Sequence, residues 1–171
     1  MTRTTSTTTR PTVRRRLAAG TLGLALAASG AVAASAAPPT TGAALAQVRA
    51  ATAHYHSVEA AVADGYVSDG HCVPQMGYHF QRGLAMSQGE LDPTRPEILV
   101  YAPRGDGSLR LVAVEYAAHA GVDSPTLLGQ AFHPPAPAGT PGPPFQTLHA
   151  WVWQGNPDGT FAAFNPNVDC G

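Results

Sequence analysis

Proline and glycine set the first limits on this fold, because they interrupt the chain at short intervals except in one long stretch. Residues 43–64 contain neither. Proline lacks an amide proton and clashes with the preceding turn, and glycine is entropically costly in regular structure, so the best place for a helix is that window. Within it Ala44, Val48, Ala51, Tyr55, Val58 and Val62 recur at alternating steps of four and three, the repeat of a single helical face. Gly65 follows as a stop. The pattern predicts one helix from Ala43 to about Asp64 with its apolar stripe against a core.

Downstream the punctuation is denser. Gly70, Pro74, Gly77, Gly83, Gly89 and Pro93 make Ser68–Arg95 mainly loop, with a short strand around Tyr78–Phe80. Glu97–Ala102, Arg104-Gly105-Asp106-Gly107 and Ser108–Tyr116 read as a β-hairpin. Thr126–Phe132 fits a short helix or a strand. Pro134–Pro144 holds six prolines in eleven residues, a stiff exposed loop. A second hairpin is expected from Thr147–Gln154, turning at Asn156-Pro157-Asp158-Gly159 into Thr160–Phe164. The sum is an α+β domain over residues 43–171: an N-terminal helix packed on a mainly antiparallel four-stranded sheet.

What precedes residue 43 reads as an address. Arg3, Arg10, Arg14, Arg15 and Arg16 lead into an uncharged run from Leu17 to about Ala33, and Ala34-Ser35-Ala36 is an A-x-A site. This is the order of a cleaved signal peptide over residues 1–36, with 37–42 a short linker. Two rival readings remain, an uncleaved anchor and a twin-arginine address at Arg14-Arg15-Arg16. Cleavage removes five of the ten basic residues and none of the eleven acidic ones, leaving a net charge near −6 and no lysine. So acidic a chain has no electrostatic grip on nucleic acid or on anionic lipid. The mature protein is expected to be secreted or extracellular, with cell-envelope association open and no stable membrane insertion.

Two cysteines, Cys72 and Cys170, are the whole complement. In an oxidising compartment an even pair reads as a disulfide. The competing reading, two thiolate metal ligands, lacks a C-x-x-C spacing.

Seven histidines in so short a chain need partners. His54 and His56 sit two apart on the predicted helix and cannot share a ligand; His56 is expected to pair with Glu59. His79 lies in Met76-Gly77-Tyr78-His79-Phe80. Glu115, by alternation, should share a face with Leu109, Leu111 and Ala113, and His149 with Trp151 and Trp153. If the hairpins are neighbours, Glu115 and His149 meet across the sheet. Two imidazoles and one carboxylate suffice for a divalent metal with open positions, zinc or iron, while Met76 in place of Glu115 would suit copper. His133, His71 and His119 lie in loops or at strand ends as further candidate ligands, and His133 could close a fourth position. The alternative is a hydrogen-bonded network of Glu115, Tyr116, His79 and His149. A carboxylate pair of Glu115 with Glu97 or Asp92 would suit a hydrolase, but no spacing selects it.

As a set these residues resemble a family of uncharacterised exported bacterial proteins frequent in actinobacteria. The likeness runs from Tyr55-His56-Ser57-Val58-Glu59-Ala60-Ala61 through Gly77-Tyr78-His79-Phe80, Leu91-Asp92-Pro93-Thr94-Arg95-Pro96-Glu97 and Val114-Glu115-Tyr116 to Asn156-Pro157-Asp158-Gly159 with Phe161. It carries no assigned activity. It implies that Cys72, Cys170 and the His79, Glu115 and His149 segments belong to one shared pattern. The functional expectation is a secreted small domain that binds one divalent metal or a small ligand; the alternative is a non-catalytic extracellular or envelope interaction protein. Intact-mass measurement of the exported product should find a chain beginning near Ala37, and a full-length product in the membrane fraction would contradict the signal reading.

Overall fold

Serine 57 divides the expected helix. The computed structural model describes residues 1, 2, 7, 40–82 and 91–171, so most of the predicted signal segment, the linker before residue 40, and Gly83 and Gly89 lie outside the described residues. By its contacts the chain separates into Met1–Ala36 and Ala37–Gly171, and the fold below belongs to the second unit. Helix α1 spans Thr41–Thr52, a 3₁₀ turn spans Ala53–His56, and α2 spans Val58–Ala63. Between turn and α2, Ser57 is extended at φ −86°, ψ 120°, and its side chain accepts a hydrogen bond from the Ala60 amide. Serine caps helices better than it continues them. The interruption shifts the buried face, so Ala61 rather than Val62 enters the core, and Val62 is 54% exposed.

The main sheet has five strands, not four: β1 (Val67–Val73), β2 (Gly77–Gln81), β3 (Ile98–Pro103), β4 (Leu109–Ala118) and β7 (Gln146–Ala150), in the order β1-β2-β3-β4-β7, every neighbouring pair antiparallel. Strand β1 lies where loop was expected. It is an edge strand with most residues exposed and a register break between Ser68 and Cys72, so no alternation marks it. The β3–β4 hairpin forms as expected. Thr126–Phe132 contains a small ribbon, β5 (Thr126–Leu127) and β6 (Gln130–Ala131), turned by Leu128 and Gly129 at φ 55° and 74°.

The second hairpin does not form. The Asn156–Gly159 turn is present, with the Gly159 amide donating to the Asn156 carbonyl at 3.1 Å, but Thr160–Phe164 does not return as a strand. The chain leaves β7 after Ala150, and the Trp151 indole donates to the Ala162 carbonyl at 2.7 Å. That bond holds the segment beside Trp151 instead of in the ladder.

Each face of the sheet buries its own core. On one, Val48, Tyr55 and Ala61 of the helical segment meet Leu99, Tyr101, Val114, Tyr116 and Leu148; the Tyr101 hydroxyl donates to the Tyr55 carbonyl at 2.6 Å. On the other, Ile98, Val100, Ala113 and Ala117 meet Phe145, Trp151 and Val168. A bulge sets which residues of β4 face which way. Val100 pairs with Ala113 but Tyr101 with Leu111, leaving Val112 as the extra residue. Glu115 therefore shares its face with Ala113 as expected, whereas Leu111 and Leu109 go to the helix side.

Cys72 and Cys170 are joined, their Cα atoms 5.8 Å apart, which removes the thiolate-ligand reading. Two further bonds pin the C-terminal segment to the β1–β2 turn: the Gln75 amide donates to the Val168 carbonyl at 3.2 Å, and the Asn165 amide to the Gln75 carbonyl at 2.8 Å. Among the described residues no helix is long and apolar enough to cross a membrane. Two stability outcomes follow from this packing. Gly77 adopts φ 108°, and an added Cβ would lie 2.3 Å from the Tyr101 carbonyl oxygen. Gly77→Ala should therefore cost on the order of 3 kcal/mol in denaturant titration. Replacing both cysteines by serine should cost up to about 4–5 kcal/mol, since the bridge closes a loop of 98 residues.

Candidate metal centre

Glu115 on β4 and His149 on β7 are direct cross-strand partners. His79 on β2 pairs with Val100, which pairs with Ala113, so period-two alternation puts His79 on the same face as Glu115. The His79 Nε2 lies 3.5 Å from Glu115 Oε2, and the His149 Nε2 lies 3.6 Å from the same oxygen. Ligand atoms of all three fall within 4.8 Å of one another, close enough to hold a metal ion. A tetrahedral centre with bonds of about 2.05 Å spaces its donors roughly 3.3 Å apart. The two edges to Glu115 thus need to contract by only a few tenths of an ångström.

Burial makes the cluster unusual. The side chains of Glu115 and His149 are 5% and 1% exposed, that of His79 17%. Glu115 Oε2 and both ring nitrogens of His149 are buried and make no hydrogen bond. Buried polar atoms are almost always partnered, and a lone buried carboxylate is costly. Burial pushes the Glu115 pKa up, opposed by the nearby His79 ring, the Thr147 hydroxyl and His133. Burial lowers His149 to about 3, with His133 acting in the same direction. It also lowers His79, against the pull of Glu115. The imidazoles are thus kept neutral, as metal ligands must be.

The hydrogen-bonded network expected as the alternative is not formed. Tyr116 faces the helix side, where its hydroxyl donates to the Pro93 carbonyl at 2.7 Å. Glu97 accepts from the Ala117 amide and Asp92 from Thr94, so neither is paired with Glu115.

The cluster forms part of the wall of a cavity of about 710 Å³ that His133 and Met76 also line. His133 is outside the close group of three. Its backbone pairs with Thr147 through bonds of 2.7 and 3.1 Å, and its Nε2 is buried without a hydrogen bond. That pairing also ties together the two ends of the proline-rich loop, which is exposed on its outside while Pro134, Pro141 and Pro143 line the cavity. His71, already a candidate ligand, lines it too, as do Asp69, Thr147 and Phe164, which escaped sequence reasoning. Alternation back from His149 was the only signal, and it reached Thr147 alone.

Of the remaining histidines, His71 lines the cavity, while His54, His56 and His119 are not among its lining residues. His56 packs against Trp153 with ring centroids 4.3 Å apart and not against Glu59, which accepts from Ser57. Trp153 belongs to the helix-side core, because β7 ends before it; Trp151 alone stacks on His149 as expected, at 5.8 Å. His54 approaches Asp64 at 3.6 Å, His71 lies on β1 within 3.5 Å of Asp69, and His119 accepts from the Gly121 amide. Compared with known proteins, the chain matches no family model, no curated protein and no solved structure.

Proposed function

We infer that this is an exported protein that binds one divalent metal ion through His79, Glu115 and His149, with coordination positions open toward the cavity. The observation that carries the reading is the convergence of a buried, unpartnered carboxylate oxygen with the unpartnered Nε2 of His149. A cation would supply the missing partner to both. Two imidazoles and one carboxylate suit zinc, or iron in a three-ligand facial arrangement. Met76 lines the same cavity, and copper becomes the better candidate if its sulfur replaces Glu115. The disulfide is compatible with an oxidising, extracytoplasmic location.

Zinc, copper and iron titrated into the stripped protein test the reading. At a metal excess of about a hundredfold over Kd, the melting temperature should rise by about 10 °C. Glu115→Gln should abolish that response without lowering the stability of the metal-free protein, because the amide removes a buried charge and can donate to a free imidazole nitrogen. His56→Ala should leave the response intact. No heat and no thermal shift with any of the metals would defeat the reading and leave the interaction-protein alternative.

The pH dependence follows from the shifts. His149 has an ordinary pKa near 6.5 when unfolded and about 3 when folded. Between those values the unfolded chain binds the extra proton, so stability is complete above pH 6.5 and falls as pH drops toward 3, by on the order of 5 kcal/mol. His79 acts with the same sign. Glu115, raised above 4.5, acts oppositely: its contribution is present below that value and is lost as pH rises through its folded pKa. Metal binding to the folded state should consequently be governed by deprotonation of Glu115 and not by that of the imidazoles, which burial already keeps neutral. Calorimetric titrations at several pH values check this; an affinity that does not change with pH would contradict it.

A further inference from the structure

The cavity around the three donors is far larger than an ion and its water require. A water molecule occupies roughly 30 Å³ of liquid, against about 710 Å³ here. Its apolar wall comes from Val73, Met76, Ile98, Phe145 and Phe164 together with the loop prolines. Its charged side chains are acidic, Glu115 and Asp69; among the described residues no arginine lines it, and the chain contains no lysine. Beyond the close group of three, His133 also lines the cavity, and its Nε2 is buried without a hydrogen bond.

We propose that the cavity binds a small, mainly apolar organic molecule, neutral or singly negative, whose one polar head reaches both the metal and His133 Nε2. This rests on the metal reading above. A divalent ion set against Glu115 and Asp69 leaves the site near neutral, so a neutral or monoanionic head is accommodated. A dianion such as a phosphate monoester finds no guanidinium or ammonium to hold it. The apolar body lies against the proline loop and the phenylalanines, and the stiffness of that loop limits the ordering cost of binding.

Alkyl hydroxamates separate head from body, since the chelating group is constant while the tail varies. Zinc-loaded exported chain is titrated calorimetrically with acetohydroxamate, octanohydroxamate and phenyl phosphate. Octanohydroxamate should bind tighter than acetohydroxamate by about thirtyfold or more, as burial of three methylenes requires, and phenyl phosphate should bind more weakly than either. His133→Ala should weaken both hydroxamates by about fivefold. Phe164→Ala, at a half-exposed rim position, should shrink the ratio between them. Equal affinities for the two hydroxamates, with zinc still taken up, would overturn the apolar-ligand proposal alone. Tighter binding of phenyl phosphate would overturn its charge argument, and failure to take up zinc would overturn both it and the metal centre.

Discussion

A carboxylate sealed into a sheet face beside neutral imidazoles is the constraint around which the rest of this molecule is arranged. Glu115 stands on an interior strand, flanked by β3 and β7, and among the described residues no arginine reaches its Oε2, which has only the two imidazoles beside it. A water-filled exterior would remove the difficulty by solvation. Here the Ile98, Trp151 and Phe145 side chains and the proline loop pack about that face instead, so a charged carboxylate there carries a desolvation cost. Such a cost is tolerable only if the surrounding scaffold is stable without the site. The helix-side core supplies that stability, with buried tyrosines whose hydroxyls find backbone carbonyls.

Separation of the two faces depends on the bulge at Val112. Strict alternation along β4 would send Leu111 and Glu115 to one side, mixing a helix-facing residue with the site. The additional residue resets the parity, so that Leu111 packs with Tyr101 in the helix-side core while Ala113, Glu115 and Ala117 line up opposite. One inserted residue thereby lets a single strand serve an apolar core at one end and a polar centre at the other.

Legibility in the sequence followed the strength of local periodicity. The β3–β4 hairpin, the short strand at His79 and the Glu115–His149 pairing could be read because Val, Leu and Tyr alternate there and turn residues separate the runs. The helix window was legible but its break was not, since Ser57 sits among good helix formers and acts through one capping bond. Strand β1 was illegible because Val67-Ser68-Asp69-Gly70-His71-Cys72-Val73 has no buried face to pattern. The return strand after Asn156 was misread for the opposite reason: a strong turn signal does not reveal that the Trp151 indole will hold the following backbone. At the site, the three close residues were nameable from alternation and register. Asp69 and Phe164 were not, and His71 was named without its place in the wall, because these residues reach the cavity through an edge strand and a C-terminal segment whose courses are set by tertiary contacts.

The segments that frame the cavity are joined in ways that resist opening. Strand β1 is fastened to the C-terminus by the disulfide, the β1–β2 turn holds Val168 and Asn165 through backbone bonds, and the proline loop is closed at its base by the His133–Thr147 pairing. Each is a covalent or backbone tie, formed without any contribution from the three donor side chains. The donors themselves stand on β2, β4 and β7, whose positions the sheet ladder fixes. Donors placed this way are held by the fold itself, so under the proposed reading an ion would add binding energy to a folded host and would not have to organise it, in contrast to small domains that fold only around a metal. Preorganisation of this kind favours an ion whose bond lengths suit the spacing already present, and leaves the shape of the cavity, not the folding of the chain, to decide what else enters.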